Sequence, residues 1–222
     1  MRSRSQGRRS QGRRAVLAGV ALVATVGLAG CSDQPGSAAH VGDAQISTTQ
    51  VHDASAEVIQ AASGLLQVPL DPAEVNRRQV NRLVTAELIE VAAQRRNLSV
   101  SEAEVDALLR QAAGSASGGE FEAQIAASQL VPPSELRDFA RAVALNQKLA
   151  VVLVPKGDEA AQADAIVEEL GAISEELGTA VAARFGTWDA SQLSVGLPPD
   201  DLSAPLPVDP NAQITTGDVR SD

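Results

Sequence analysis

The stretch from Asp71 to Asn97 constrains the fold more than any other part of the chain. Asp71-Pro72-Ala73-Glu74 is a helix start. Asp71 can accept from exposed backbone N–H groups, Pro72 suits the first helical position, and Glu74 completes a pair resembling a capping box. Beyond it Val80, Leu83, Val84, Leu88, Val91 and Ala92 recur at spacings of three and four, which places them on one face of a long helix. Arg77, Arg78, Glu90 and Arg95 fall largely off that face and read as solvated.

Further helix signals surround it. Ser47 or Thr48 can cap a helix reaching about Ser63, with Gly64 as its stop. Ser101-Glu102-Ala103-Glu104 is a second capping box, opening a helix with Val105, Leu108 and Leu109. The run Gly114–Gly119 breaks it, and a shorter helix is predicted over 120–128. Pro132-Pro133 precedes another long helix, Ser134 to about Leu153, with Leu136, Phe139, Val143 and Leu149 as its core side. A last helix is predicted over Asp158–Gly178. Around Gly42-Asp43, Val41 and Ile46 suggest a short strand or hairpin over 40–47. Phe185-Gly186-Thr187-Trp188-Asp189 reads as a turn into a late strand, with Trp188 anchoring it to the helices. The fold class is therefore mainly α, with short strands near the two ends of the domain.

The front of the chain is of another kind. Residues 1–14 carry six arginines and no acid, and the apolar stretch Ala15–Gly30 follows. It is shorter than the roughly 20 residues that span a bilayer. Leu28-Ala29-Gly30-Cys31 closes it with the only cysteine present. A basic start, a short apolar middle and small residues at the end make a secretory signal, and the final four residues resemble a bacterial lipobox. The expectation is cleavage before Cys31 and acylation of its thiol, by way of general secretion rather than the twin-arginine route that Arg13-Arg14 suggests. At about 0.8 kcal/mol per buried methylene, two acyl chains hold a protein firmly to a membrane. The segments are read as leader 1–30, tether 31–39, helical domain 40–197, and a disordered acidic, Pro-rich tail 198–222.

Loss of the leader changes the charge. The chain has 18 basic and 28 acidic residues; without six arginines it has 12 basic, a net of −16. That balance argues against nucleic acid as a partner. With its one cysteine committed to lipid, the exported domain relies on packing rather than disulfides.

Motifs for chemistry are weak. Gly114-Ser115-Ala116-Ser117-Gly118 has alanine where a nucleophile elbow needs serine. His40 and His52 read as ordinary histidines rather than a metal pair. Glu168-Glu169 and Glu175-Glu176 read as a solvated face rather than an acid/base pair. No catalytic, cofactor or metal residues are expected.

Three stretches carry a resemblance to the N-terminal domain of the SurA family of periplasmic chaperones and to related foldase lipoproteins. Val41-Gly42-Asp43-Ala44-Gln45-Ile46-Ser47 is similar to that family's opening strand and turn. Asn81-Arg82-Leu83-Val84-Thr85-Ala86-Glu87-Leu88-Ile89 is similar to its long helix. Asn97-Leu98-Ser99-Val100-Ser101-Glu102-Ala103-Glu104-Val105 is similar to its turn into the next helix, with Asn97 in place of a glycine. The resemblance implies that the short strands form a β-strand pair joining the two ends of the domain. Members of the family often carry a parvulin-type prolyl isomerase domain of roughly a hundred residues. Only about 30 residues separate Pro155 from Phe185 here, so the resemblance implies binding without isomerase activity. It implies an ATP-independent, chaperone-like binder of unfolded or nascent exported polypeptides. The binder would be held by lipid on Cys31 at the extracytoplasmic face of the cell membrane. Leu83, Val84, Leu88, Leu136, Phe139 and Val143 are the candidate peptide contacts. An accessory envelope lipoprotein that binds one folded partner is the alternative, and oligomeric state is left open.

Overall fold

A computed structural model describes residues 36–116 and 118–198. Cys31, the leader and the tail beyond Pro198 lie outside the described residues. Six α-helices occur among them: α1 (Thr48–Ala62), α2 (Pro72–Arg95), α3 (Glu102–Ala113), α4 (Gly119–Gln129), α5 (Leu136–Leu153) and α6 (Glu159–Glu176). Two small antiparallel sheets join them. β1 (Ser37–Val41) lies between β2 (Ala44–Ser47) and β3 (Ala180–Val181), while β4 (Trp188–Asp189) pairs with β5 (Ser194–Val195).

Local chemistry sets the helix starts. Ser47 accepts from the Gln50 N–H, Asp71 from Ala73, Ser101 from Glu104, and Asp158 from Ala161. At α3 the box is reciprocal, since the Glu104 carboxylate accepts from the Ser101 N–H at 2.9 Å. Each such cap is worth about 1 kcal/mol. Asn97 takes a left-handed φ of +54° after α2, the conformation expected of a glycine substitute.

α2 is the central helix, touching α1, α5, α6, β1, β2 and β5. Val80, Val84, Leu88 and Ala92, spaced by four, have no exposed surface. Leu149 of α5, Leu170 of α6, and Ala38, Ala39 and Val41 of β1 complete the core around them. Gln79 is equally buried because both ends of its amide are partnered. Its Nε2 donates to the Leu130 carbonyl at 2.7 Å and its Oε1 accepts from Arg82 Nε at 3.0 Å.

Three expectations are corrected. The opening strand begins at Ser37, not His40, and Ala38 and Ala39 are core residues rather than tether. Small side chains suit a strand pressed against α2, and their low apolar content hid them in the sequence. The strand that returns to β1 is Ala180–Val181, through the pairs Ala39↔Val181 and His40↔Ala180; the late strand was expected beyond Phe185. Trp188 belongs instead to the separate β4–β5 hairpin, and its indole N–H donates to the buried Ser174 hydroxyl of α6 at 2.8 Å. Gly186, at φ +133°, allows that hairpin to close, since a Cβ there would run into the Gly196 carbonyl.

The core side of α5 is also rotated from the sequence reading. Ala140, Ala144, Leu145, Leu149 and Ala150 are buried, whereas Leu136, Phe139 and Val143 are only half-buried. Alanines at the contact bring α5 close to its neighbours, and the bulkier side chains are displaced to the edge.

Candidate functional site

Two of the displaced side chains, Phe139 and Val143, line a cleft. Between α2 and α5 lies a cavity of about 740 Å³, within the roughly 300–1,000 Å³ usual for ligand clefts. α2 contributes Asn81, Leu83, Thr85, Ala86 and Ile89, and α5 contributes Phe139, Ala142, Val143 and Asn146. Ile166 and Leu170 of α6 and Leu193 from the hairpin close the far side. Asn81 Oδ1 accepts from the Val195 N–H at 2.9 Å, which fixes the hairpin against α2 and keeps Leu193 at the wall.

A second hollow of about 310 Å³ continues the cleft, sharing Gln50, Leu83, Ala86, Asp138 and Ala142 with the first. Its other walls are Ala44, Gln45 and Ile46 of β2, Glu87 and Glu90 of α2, and Arg141 and Leu145 of α5. From Asn81 to Glu90 the α2 wall rises about 13 Å, the length of roughly four residues of extended chain.

Two residues lining the larger hollow each carry a buried side-chain oxygen without a partner. Thr85 Oγ1 and Asn146 Oδ1 are buried without a hydrogen bond. An unpaired buried polar group costs about 1–3 kcal/mol, so a side-chain rotation that brings either oxygen to a partner in the hollow is rewarded. By contrast the ionic groups at the Arg82 end of the cleft are already satisfied. Arg82 donates to Glu135 at 2.5 Å and to Gln79, tying α2 to the short turn before α5.

The candidate contact residues separate into three sets. Leu83, Phe139 and Val143 come together in the cleft. Val84 and Leu88 do not: both are wholly buried in the core and offer no surface to a peptide, because the i, i+4 stripe they share with Val80 and Ala92 faces the interior. Leu136 is half-buried at the start of α5 and does not line the cleft. The sequence reading missed Thr85, Ile89 and Asn146. Thr85 and Ile89 follow Asn81 at spacings of four, and Asn146 follows Phe139 and Val143 at seven and three, so a stripe adjacent to the core face was the available signal.

The opposite flank of α5 is charged. Arg137 donates to Glu102 at 2.6 Å and to Asp106 at 2.8 Å. Arg141 donates to Glu102 at 2.5 Å and Asp138 at 2.7 Å, and Lys148 pairs with Glu104 at 2.6 Å. The Arg137 and Arg141 guanidinium groups hold the Glu102 carboxyl below its ordinary range. Lys148, helped by the Ser101 backbone and hydroxyl, draws Glu104 down to about 2. These pairs seat α3, whose only buried residue is Val105.

Two further carboxylates tie α6 to the end of α2. Glu176 forms a two-pronged pair with Arg95, and Glu169 pairs with Arg96. His52 tilts against Phe185 with ring centroids 6.1 Å apart, and His40 lies exposed on β1. Among the described residues no three His, Cys, Asp or Glu side chains gather as a metal site. Nor is any helix among them long and apolar enough to cross a membrane. Between α5 and β3 the described residues hold α6 alone, with no parvulin-type domain.

Neither comparison, with curated proteins or with solved structures, returns a match. A family profile does match, that of the SurA-like N-terminal domain, over residues 4–149. Within the described residues that span runs from β1 through most of α5, and so includes both long walls of the cleft. A match over more than half of the chain, on a mainly helical fold opened by a short hairpin, settles its kinship: the chain belongs to the SurA-like N-terminal domain family.

Proposed function

We propose that this chain is a lipid-anchored, extracytoplasmic binder of unfolded exported polypeptides, acting without ATP and without prolyl isomerase activity. Membership of a family related to chaperones supports the general class. The observation that carries the reading is the α2–α5 cleft, with apolar walls and two buried, unpartnered polar atoms. An extended client would lay alternate side chains against Leu83, Phe139 and Val143. Its backbone would offer an N–H to Asn146 Oδ1 and a carbonyl to the Thr85 hydroxyl once those two side chains rotate into the hollow. Main-chain hydrogen bonds make such binding tolerant of sequence, which suits varied clients.

Magnitudes support weak, reversible capture. Burying three apolar side chains supplies roughly 5–9 kcal/mol. Association costs about 4–15 kcal/mol before any hydrogen bond is counted. The balance favours brief contacts, which are adequate to keep exposed clients apart while they fold.

Anchoring rests on Cys31 and its preceding apolar run. Intact-mass measurement on membrane fractions tests it: the expected species starts at Cys31 with acyl chains attached, and a chain with Met1 and a free thiol would refute it. The binding function is tested by adding the protein to several unrelated, chemically unfolded substrates and following light scattering. Suppression of aggregation for most of them is expected. Failure with all of them, together with recovery of one stable folded partner, would replace this reading with that of an accessory lipoprotein.

A further inference from the structure

The two ends of the cleft differ in charge, and the difference bears on what the client carries. In the larger hollow the ionic groups are paired: Arg82 with Glu135, and Asp138 with Arg141, which also holds Glu102. In the smaller hollow Glu87 and Glu90 have no ion-pair partner among the described residues; Glu90 accepts only from the neutral Gln94 amide, at 3.1 Å. Arg141, the basic residue on that wall, is already committed to two carboxylates. Among the described residues, one end of the cleft therefore presents two carboxylates without an ionic partner beside an apolar trough.

We infer that the cleft selects extended segments in which a short apolar run is flanked on one side by Lys or Arg. The apolar run occupies the trough between Leu83, Phe139 and Val143, and the cation lies over Glu87 and Glu90. Charge complementarity points to a flexible basic chain as occupant, because a trough about four extended residues long admits a strand more readily than the face of a folded protein. This inference rests on the proposed client-binding function and narrows it to a class of client sequence.

Fluorescence anisotropy on the full chain provides the test. Three labelled peptides share one four-residue apolar core and carry two flanking Lys, Ser or Glu residues. The Lys-flanked peptide is expected to bind roughly three- to tenfold more tightly than the Ser-flanked one at physiological ionic strength, and the Glu-flanked peptide more weakly than either. The double variant Glu87→Gln/Glu90→Gln is expected to bring the Lys- and Ser-flanked peptides within about twofold of each other. Glu168→Gln/Glu175→Gln, on exposed α6 surface, changes net charge equally and is expected to leave the preference intact. Equal binding of all three peptides, or a preference that survives Glu87→Gln/Glu90→Gln, would overturn the inference while leaving client binding in place. Failure of every peptide to bind would overturn both.

Discussion

The two flanks of α5 are tied to their neighbours in different ways. Toward α3 the helix presents Arg137, Arg141 and Lys148, each locked to a carboxylate, and the partner helix buries only Val105. Toward α2 it presents Phe139, Val143 and Asn146 to a cleft that nothing in the described chain fills. Exposed ion pairs are individually weak and screened by salt, yet several of them act together on a short helix that buries one residue. Apolar side chains left half-covered are a liability in a protein with no use for them. The contrast teaches that the charged flank holds structure together, while the apolar flank is kept available.

Substitutions can break that contrast in order of expected effect. Leu149→Ala or Leu88→Ala removes a core residue on which both flanks rest, and urea titration is expected to show a loss of about 2–5 kcal/mol. Phe139→Ala strikes only the open flank. Its stability cost is expected near 1 kcal/mol because the ring is half-buried, while suppression of client aggregation falls several-fold. Equal losses of stability from Phe139→Ala and Leu149→Ala would erase the distinction between cleft and core. Thr85→Val sharpens it further. The shape is kept and an unpartnered hydroxyl is removed, so thermal denaturation is expected to show a gain of about 0.5–1 kcal/mol, with weaker peptide binding. A loss of stability would mean that the hydroxyl is serving the fold.

The smallest effect belongs to the charged flank and depends on pH. Glu102 and Glu104 have folded-state values below the unfolded carboxyl range of about 4.3, Glu104 at about 2. Their contribution is therefore complete above the unfolded value and is lost as pH falls through the folded one. Amide exchange, corrected for intrinsic rates, is expected to show protection in α3 falling between about pH 4.5 and 2, ahead of α2. Added salt at neutral pH should loosen α3 in the same direction. If α2 and α3 lose protection together, the ion pairs are not what seats α3.

Much of this arrangement was legible from residues alone. Caps at Ser47, Asp71 and Ser101 are local chemistry, and the helices begin where those side chains meet exposed N–H groups. The 3.6-residue period located α2 and found Val80, Val84 and Leu88, but a period cannot tell a face buried in the core from one bordering a cleft, so Val84 and Leu88 were read as contacts. On α5 the large side chains carry the apolar pattern, while close packing is done by Ala140, Ala144 and Ala150. Strands of two residues, such as Ala180–Val181, carry no periodic signal at all; they exist because β1 offers an edge. Thr85 and Asn146 were invisible as a pair, since only the tertiary packing of α2 on α5 brings them to one hollow.

The most direct test of the central claim is site-specific photo-crosslinking to an unfolded client. A photoreactive residue replaces Val143 in the cleft, Leu88 in the core or Glu168 on the exposed surface of α6, and each variant is irradiated with the same client. Strong adducts from position 143, with only background from 88 and 168, are the predicted result. Adducts of equal yield from 143 and 168, or none from 143 while the protein still suppresses aggregation, would contradict the assignment of the α2–α5 cleft as the binding surface.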